Sequence, residues 1–154
     1  MKMNGVKLEC PNEAILVLPR PDGDLVFKAR AILDYDEFDK ICPEPNAPVK
    51  VLKGGKKEVN RADLDYIRAV NEVNERRMAW IVLKSLAATE DLEWETIDMI
   101  RPETWLNYAQ ELKDSGFSVI EINKIVGLAL QANALDEAKL EAARAAFLAG
   151  QGKE

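Results

Sequence analysis

Short runs of apolar residues, several of them alternating with polar ones, occupy residues 1–60 and are typical of β-strands. Turns at Gly23 and at Gly54-Gly55 separate two pairs of these runs, and such turns favour hairpins. The predicted strands are 6–10, 14–18, 25–33, 49–52 and 58–59. In the first of them apolar and polar residues alternate, which predicts a half-buried strand. From these five segments we expect an antiparallel sheet of about four strands.

A short helix is predicted between the two hairpins. Tyr35, Phe38 and Ile41 lie three residues apart, so one helix face could dock all three side chains. Asp34 precedes them and is expected to cap the helix N-terminus. The prolines within residues 43–48 then prevent any regular element.

From residue 61 the apolar positions recur every three or four residues, which is the period of an α-helix. The first helix is predicted to begin at Asn60 or Asp63 and to run for about seven turns, until residues 87–89 end it or kink it. The connector that follows is expected to hold a short helix at 95–100.

Local start and stop signals delimit three further predicted helices. The start signals are Pro102, the capping box of Ser118 and Glu121, and Asp136. The stop signals are Gly116, Asn133 in the left-handed region, and Gly150. The last helix is expected to pack through Leu140, Ala143, Phe147 and Leu148.

These patterns predict an α+β fold, in which the N-terminal antiparallel sheet packs with a C-terminal bundle of four to five helices. The expected organisation is a β-rich subdomain at 1–60, a helical subdomain at 61–150 and a polar tail at 151–154.

The chain has 154 residues and no histidine, which excludes Ser-His-Asp and Cys-His catalysis and histidine-ligated metal sites. Cys10 and Cys42 are too few for a Cys₄ site and have no base beside them. They are expected to be buried thiols in a reducing cytoplasm. We therefore expect a protein without enzymatic activity, cofactor or bound metal.

The net charge of −6 is unevenly distributed. Residues 1–60 are balanced, whereas residues 61–154 carry the whole acidic excess. An acidic helical half argues against nucleic-acid binding and suits either solubility or a protein partner with a basic stripe. The longest apolar run, 14–18, is too short to span a membrane.

Three charged clusters are interpreted as surface. The acids of 34–39 lack the glycine of a calcium loop, and the lysines around Gly54-Gly55 lack the spacing of a phosphate loop. The carboxylates of 90–98 have no metal partner or oxyanion stabiliser beside them. The tryptophans are interleaved with acids, so most are expected in the core, although one or two exposed aromatics could anchor a protein partner.

The exposed strip of the long predicted helix is a candidate partner-binding surface, although a solvated helix face explains each residue singly. Its charged residues are Glu72, Glu75, Arg76 and Arg77.

Several segments resemble one group of tail assembly chaperones of long-tailed bacteriophages. They are PRPDGDLVF at 19–27, ICPEP at 41–45, PETW at 102–105, ELKDSGF at 111–117 and ANALD at 132–136. The resemblance implies a non-enzymatic protein of the host bacterial cytoplasm that coats the tape measure protein and helps to recruit tail tube subunits. It implies no catalytic residues. The alternatives are a structural virion subunit, in the tail or as a capsid accessory, and a small phage inhibitor of a host protein.

The C-terminus adds a genetic hypothesis. In many such phages the chaperone gene ends at a programmed frameshift, and Gln151-Gly152-Lys153 is what the slippery sequence CAG GGA AAG would encode. Three common polar tail residues are the simpler explanation.

Overall fold

The computed structural model describes residues 1–152, so Lys153 and Glu154, with the end of the predicted tail and of the frameshift sequence, lie outside it. The strands are β1 Lys2–Met3, β2 Val6–Lys7, β3 Glu13–Leu18, β4 Leu25–Arg30, β5 Val49–Val51 and β6 Lys57–Val59. The helices are α1 Asp36–Ile41, α2 Leu64–Leu86, α3 Tyr108–Asp114, α4 Val119–Ala132 and α5 Glu137–Gln151, with a 3₁₀ helix Pro102–Asn107 before α3.

The fold is α+β, as predicted, but the strands do not form one sheet. They form three separate antiparallel pairs, β1 with β2, β3 with β4, and β5 with β6. The strands of the first and third pairs are two or three residues long and exposed at every position, so neither pair has a face that packs on a core.

The predicted half-buried strand at 6–10 is wrong. Its residues are all exposed, and Val6 pairs with Met3 in a small hairpin. The turn of this hairpin is Asn4-Gly5, whose φ angles of 50° and 78° are both positive, as in the tight turns that connect paired strands. This local signal outweighs the alternation of residues 6–10.

The β3–β4 hairpin packs against α2 and α4 and forms the first core. Alternate β4 residues, Phe27 and Ala29, are buried there. The helices contribute Val82, Leu86, Leu112, Ile125, Leu128, Ala129 and Ala132. The predicted β-rich and helical segments therefore share one core.

A second core lies around α1, α2 and the 3₁₀ helix. Phe38, Trp80 and Trp105 are almost fully buried, and the ring centroid of Phe38 lies 5.5 Å from that of Trp80 and 5.9 Å from that of Trp105. Trp94 and Tyr108 pack against both cores and connect them. Such aromatic pairs add about 0.5–1.5 kcal/mol beyond the burial of their area.

Helix α2 begins after Asp63, one of the two predicted starts, and ends just before the predicted stop at 87–89. The Asp63 side chain accepts a hydrogen bond from the Tyr66 N–H, and the helix ends at Leu86. Its two halves differ in environment, because all residues from Ala79 to Leu86 except Lys84 are buried, whereas most of the first four turns are exposed or half-exposed.

Several helix ends differ from the prediction. Tyr35, not Asp34, is the N-cap of α1, and Asp34 instead accepts a hydrogen bond from the Asp36 N–H. Asn133 has a φ of −93°, and the residue in the left-handed region is Ala134, at 55°. Helix α5 does not stop at Gly150 but continues to Gln151. A glycine inside a helix costs only about 1 kcal/mol relative to alanine, so it need not end the helix.

The remaining local signals are confirmed. Pro102 lies in the first turn of the 3₁₀ helix, and Gly116 has a φ of 93° just after α3. The capping box of Ser118 and Glu121 is present, and Asp136 caps α5.

Two predicted elements are absent or unpacked. Residues 95–100 are not helical, because side chains take up the backbone N–H groups that a helix would use. The Asp98 carboxylate accepts a hydrogen bond from the Ile100 N–H, and the Thr104 hydroxyl accepts one from the Asp98 N–H. Helix α5 has no buried residue, so its apolar side chains do not pack inward as predicted.

Candidate partner-binding surfaces

The four predicted partner-binding residues lie on α2, and the structure joins two of them. Arg76 forms an ion pair of 2.7 Å with Glu72, one helical turn away. Glu75 is exposed on the same helix. These residues remain a predicted contact surface.

Arg77 has a structural role. Its guanidinium lies 5.2 Å from the centroid of the buried Phe38 ring and 3.5 Å from the Glu44 carboxylate. It also donates to the Asn74 side chain. Arg77 therefore joins α2 to α1 and to the proline-rich segment, and its side chain is only partly available to a partner.

A groove of about 450 Å³ lies beside the start of β4. Three parts of the chain line it, namely residues 24–27, the loop 89–94, and the end of α3 with the turn that follows. Its apolar lining consists of Leu25, Val26, Phe27, Leu92, Trp94, Leu112 and Phe117. We call it the β4 groove.

Residues with carboxylate side chains also line the groove, and we call them its rim. They are Asp24, Glu90, Asp91, Glu93 and Glu111. No lysine or arginine is among the described residues that line the groove, and no ion pair within residues 1–152 involves these five carboxylates. The β4 groove therefore combines an apolar surface with a negative rim.

Glu111 also holds the connector in place. Its carboxylate accepts hydrogen bonds from the Glu95 N–H at 2.5 Å and from the Thr96 N–H and hydroxyl at 3.1 and 2.6 Å. Burial raises the pKa of the Glu111 carboxyl, but these hydrogen bonds outweigh it, so that its pKa lies below the ordinary value. Glu111 thus carries its negative charge at neutral pH.

Thr89 fixes one end of the groove to the outer edge of β4. Its hydroxyl accepts from the Lys28 N–H and donates to the Lys28 carbonyl, both at 2.9 Å. Backbone groups of alternate residues in an antiparallel strand point to the same side. The N–H and carbonyl of Val26 therefore also point away from β3, toward the groove that Val26 lines.

Arg20 lies beside the groove at Phe117. Its guanidinium is 5.2 Å from the centroid of the Phe117 ring and forms a 2.5 Å ion pair with Glu121. This ion pair lowers the pKa of the Glu121 carboxyl, and the hydrogen bond from Ser118 contributes in the same direction. The positive charge of Arg20 is therefore matched locally and does not neutralise the groove rim.

Helix α5 is a second exposed surface. Its first turn is held by the Asp136 cap and by a hydrogen bond from Lys139 to the Gln131 side chain. Beyond this turn the helix exposes Leu140, Phe147 and Leu148, whose exposed fractions are 45%, 63% and 52%. These three residues lie on one side of the helix, which we call the α5 face.

Other candidates from the sequence are dispersed. Cys10 is exposed, contrary to prediction, and Cys42 is buried. Residues 1–152 contain no group of three side chains suited to bind a metal ion. No helix in this part of the chain has the length and apolar character needed to cross a membrane.

The comparisons with known proteins add no relative. No protein-family description, curated protein or solved structure matches the chain.

The sequence pattern singles out the carboxylates of 90–93, interpreted as surface charge, but does not predict Asp24 and Glu111 as their neighbours. Neither residue belongs to a sequence motif that would mark it as part of a site. They come close only because the β3–β4 hairpin packs beside α3, and no local sequence pattern predicts that packing.

Proposed function

We propose that this chain is a non-enzymatic tail assembly chaperone of a long-tailed bacteriophage, which binds the tape measure protein and helps to recruit tail tube subunits in the host bacterial cytoplasm. The sequence resemblance suggests this role. The observation that carries the binding part of the proposal is the α5 face, a helical apolar surface without a packing partner within residues 1–152.

A chaperone for a long helical client needs apolar surface that its own fold leaves uncovered. Burial of apolar surface contributes about 25 cal/mol per Å². Leu140, Phe147 and Leu148 offer such surface on a helix that has no buried residue of its own. An amphipathic client helix could pack against them, as in other helix–groove and helix–helix complexes.

The α5 face predicts which variants fail to bind. The pair Phe147→Ser and Leu148→Ser removes most of the exposed apolar surface without touching either core. The matched control is Ala142→Ser with Ala149→Ser, which lie on the opposite side of α5.

The test is co-expression with the tape measure protein of the same phage, followed by affinity capture and measurement of the soluble tape measure fraction. We expect the original chain and the control to bind and to keep the client soluble. The double variant should capture at least about tenfold less client, since loss of two apolar anchors at an interface costs at least about 1.4 kcal/mol. Failure of the original chain to bind the tape measure protein would overturn the proposal.

Mass spectrometry of purified particles separates this role from its main alternative. A chaperone should be absent from mature virions, whereas a structural tail or capsid subunit should be present at a fixed number of copies. Detection of the chain at such a number would favour the structural subunit.

A further inference from the structure

The β4 groove has the lining of a peptide-binding site. We propose that it binds a short extended segment of a protein partner in which apolar side chains alternate with lysine or arginine. This proposal deepens the function proposed above, because it gives the chaperone a second docking surface, and it rests on that function only in taking the partner to be a protein.

The apolar lining supplies the contact area. Leu25 and Val26, exposed at 39% and 45%, line the groove together with the half-buried Trp94 and Phe117. The groove volume of about 450 Å³ falls within the range of pockets that hold small ligands or anchoring side chains. Apolar side chains of a partner would remove this surface from water.

The rim selects the charge of the partner. Five carboxylate residues line the groove, no lysine or arginine is among its described lining residues, and the nearby Arg20 is paired with Glu121. An acidic segment would meet like charges, whereas lysine or arginine beside the apolar anchors would find opposite ones. Charge complementarity therefore favours a basic segment.

The edge of β4 favours an extended conformation. The Val26 N–H and carbonyl point away from β3. The corresponding groups of Lys28, two residues further along the same edge, already form hydrogen bonds with Thr89. A strand laid along the groove could pair with Val26 and place every second side chain on the apolar lining. The other side chains would then face the carboxylate rim.

The probe is a capped heptapeptide of alternating valine and lysine, compared with its valine–glutamate counterpart. Trp80 and Trp105 are buried, so a change in tryptophan fluorescence on binding reports mainly Trp94 in the groove. Amide chemical shifts of residues 24–27 and 89–94 locate the site. We expect the lysine peptide to bind there, with an affinity that falls several-fold between about 50 and 300 mM salt, and the glutamate peptide not to bind.

Two triple variants with the same net charge separate the groove from general attraction. Asp24→Asn, Glu90→Gln and Glu93→Gln remove rim charge, and we expect about tenfold weaker binding of the lysine peptide. The control is Asp39→Asn, Glu58→Gln and Glu137→Gln, exposed acids outside the groove, for which we expect less than about a twofold change.

A third variant tests the apolar contribution. Val26→Thr keeps the shape and strand preference of the side chain while replacing a methyl group with a hydroxyl. We expect about fivefold weaker binding, with unchanged amide shifts outside the groove as evidence that the fold is intact.

The possible failures are distinct. No binding of the lysine peptide to the original chain, or equal weakening by both triple variants, would overturn the groove proposal. Neither result bears on capture of the tape measure protein through the α5 face. Conversely, failure of that capture overturns the chaperone role and leaves the peptide experiment to decide the groove.

Discussion

Asn133 shows how one side chain can connect elements that are distant in sequence. Its amide nitrogen donates to the Ser85 hydroxyl at 2.7 Å and to the Ala129 carbonyl at 2.8 Å, and its amide oxygen accepts from the Ile32 N–H at 2.8 Å. The residue thus joins α2, α4 and the end of the β3–β4 hairpin. Its sequence position at a helix end suggested only a local role.

Asn133→Ala should lower the free energy of unfolding by about 2–4 kcal/mol, because it leaves the Ile32 N–H and the fully buried Ser85 hydroxyl without this partner. Urea denaturation followed by circular dichroism measures the change. Asn123→Ala, at an exposed position of the same helix, is the control and should change stability by less than about 0.5 kcal/mol.

Ala134 adopts a backbone conformation that L-residues disfavour and that the achiral glycine tolerates, with a φ of 55°. The Ala134 N–H donates to the Gln131 carbonyl and the Leu135 N–H donates to the Leu130 carbonyl, the two hydrogen bonds of a Schellman motif. This motif usually has glycine at the position of Ala134.

Ala134→Gly should therefore raise the free energy of unfolding, by about 0.5–1 kcal/mol, since relief of the strain exceeds the extra entropy of glycine in the unfolded chain. Lys124→Gly, at an exposed interior position of α4, should instead lower it by about 0.7 kcal/mol. The same denaturation assay checks both, and a destabilised Ala134→Gly protein would contradict the argument.

At the scale of elements, the structure separates helices that belong to the core from one that does not. Capping and periodicity predicted the starts of α2, α4 and α5 equally well, because these signals involve hydrogen bonds within a few residues. They could not distinguish the buried face of α4 from the exposed face of α5. That difference depends on which helix has a partner.

Removal of α5 should leave the rest of the fold intact. A chain that ends at Asp136 loses no buried residue, so we expect its unfolding midpoint to stay within about 3 °C of the original. Thermal unfolding followed by near-ultraviolet circular dichroism reports the aromatic cores directly. A loss of the near-ultraviolet signal at room temperature would show that α5 supports the core after all.

For the molecule as a whole, several carboxylates tie loops to helices as anions. The pKa values of the Glu103, Glu111 and Glu121 carboxyls are all lowered. Hydrogen bonds from its own backbone and from Arg101 lower the pKa of Glu103, and the hydrogen bond from Arg20 is the largest cause at Glu121. Burial raises the pKa of Glu111, but its hydrogen bonds outweigh this effect. A carboxyl with a lowered pKa in the folded state stabilises that state above the unfolded value of about 4.3.

The stabilisation that these three carboxylates contribute should therefore be constant from neutral pH to about pH 5. It should be lost as the pH drops through their pKa values in the folded state. Urea midpoints between about pH 7 and pH 3 measure this dependence. Glu111→Gln and Glu121→Gln should each flatten the acid slope. An unchanged slope in both test variants would contradict the assignment.

The sequence by itself determined the α+β class, the main β3–β4 hairpin and most helix ends, because hairpin turns, caps and periodicity act between residues close along the chain. It also determined the acidic excess of the second half. Tertiary structure decided that the strands form three separate pairs, that α5 stays exposed, and that Asp24, Glu90 and Glu111 border one apolar groove. These features depend on packing between distant segments, and no local pattern encodes which segment will be the neighbour.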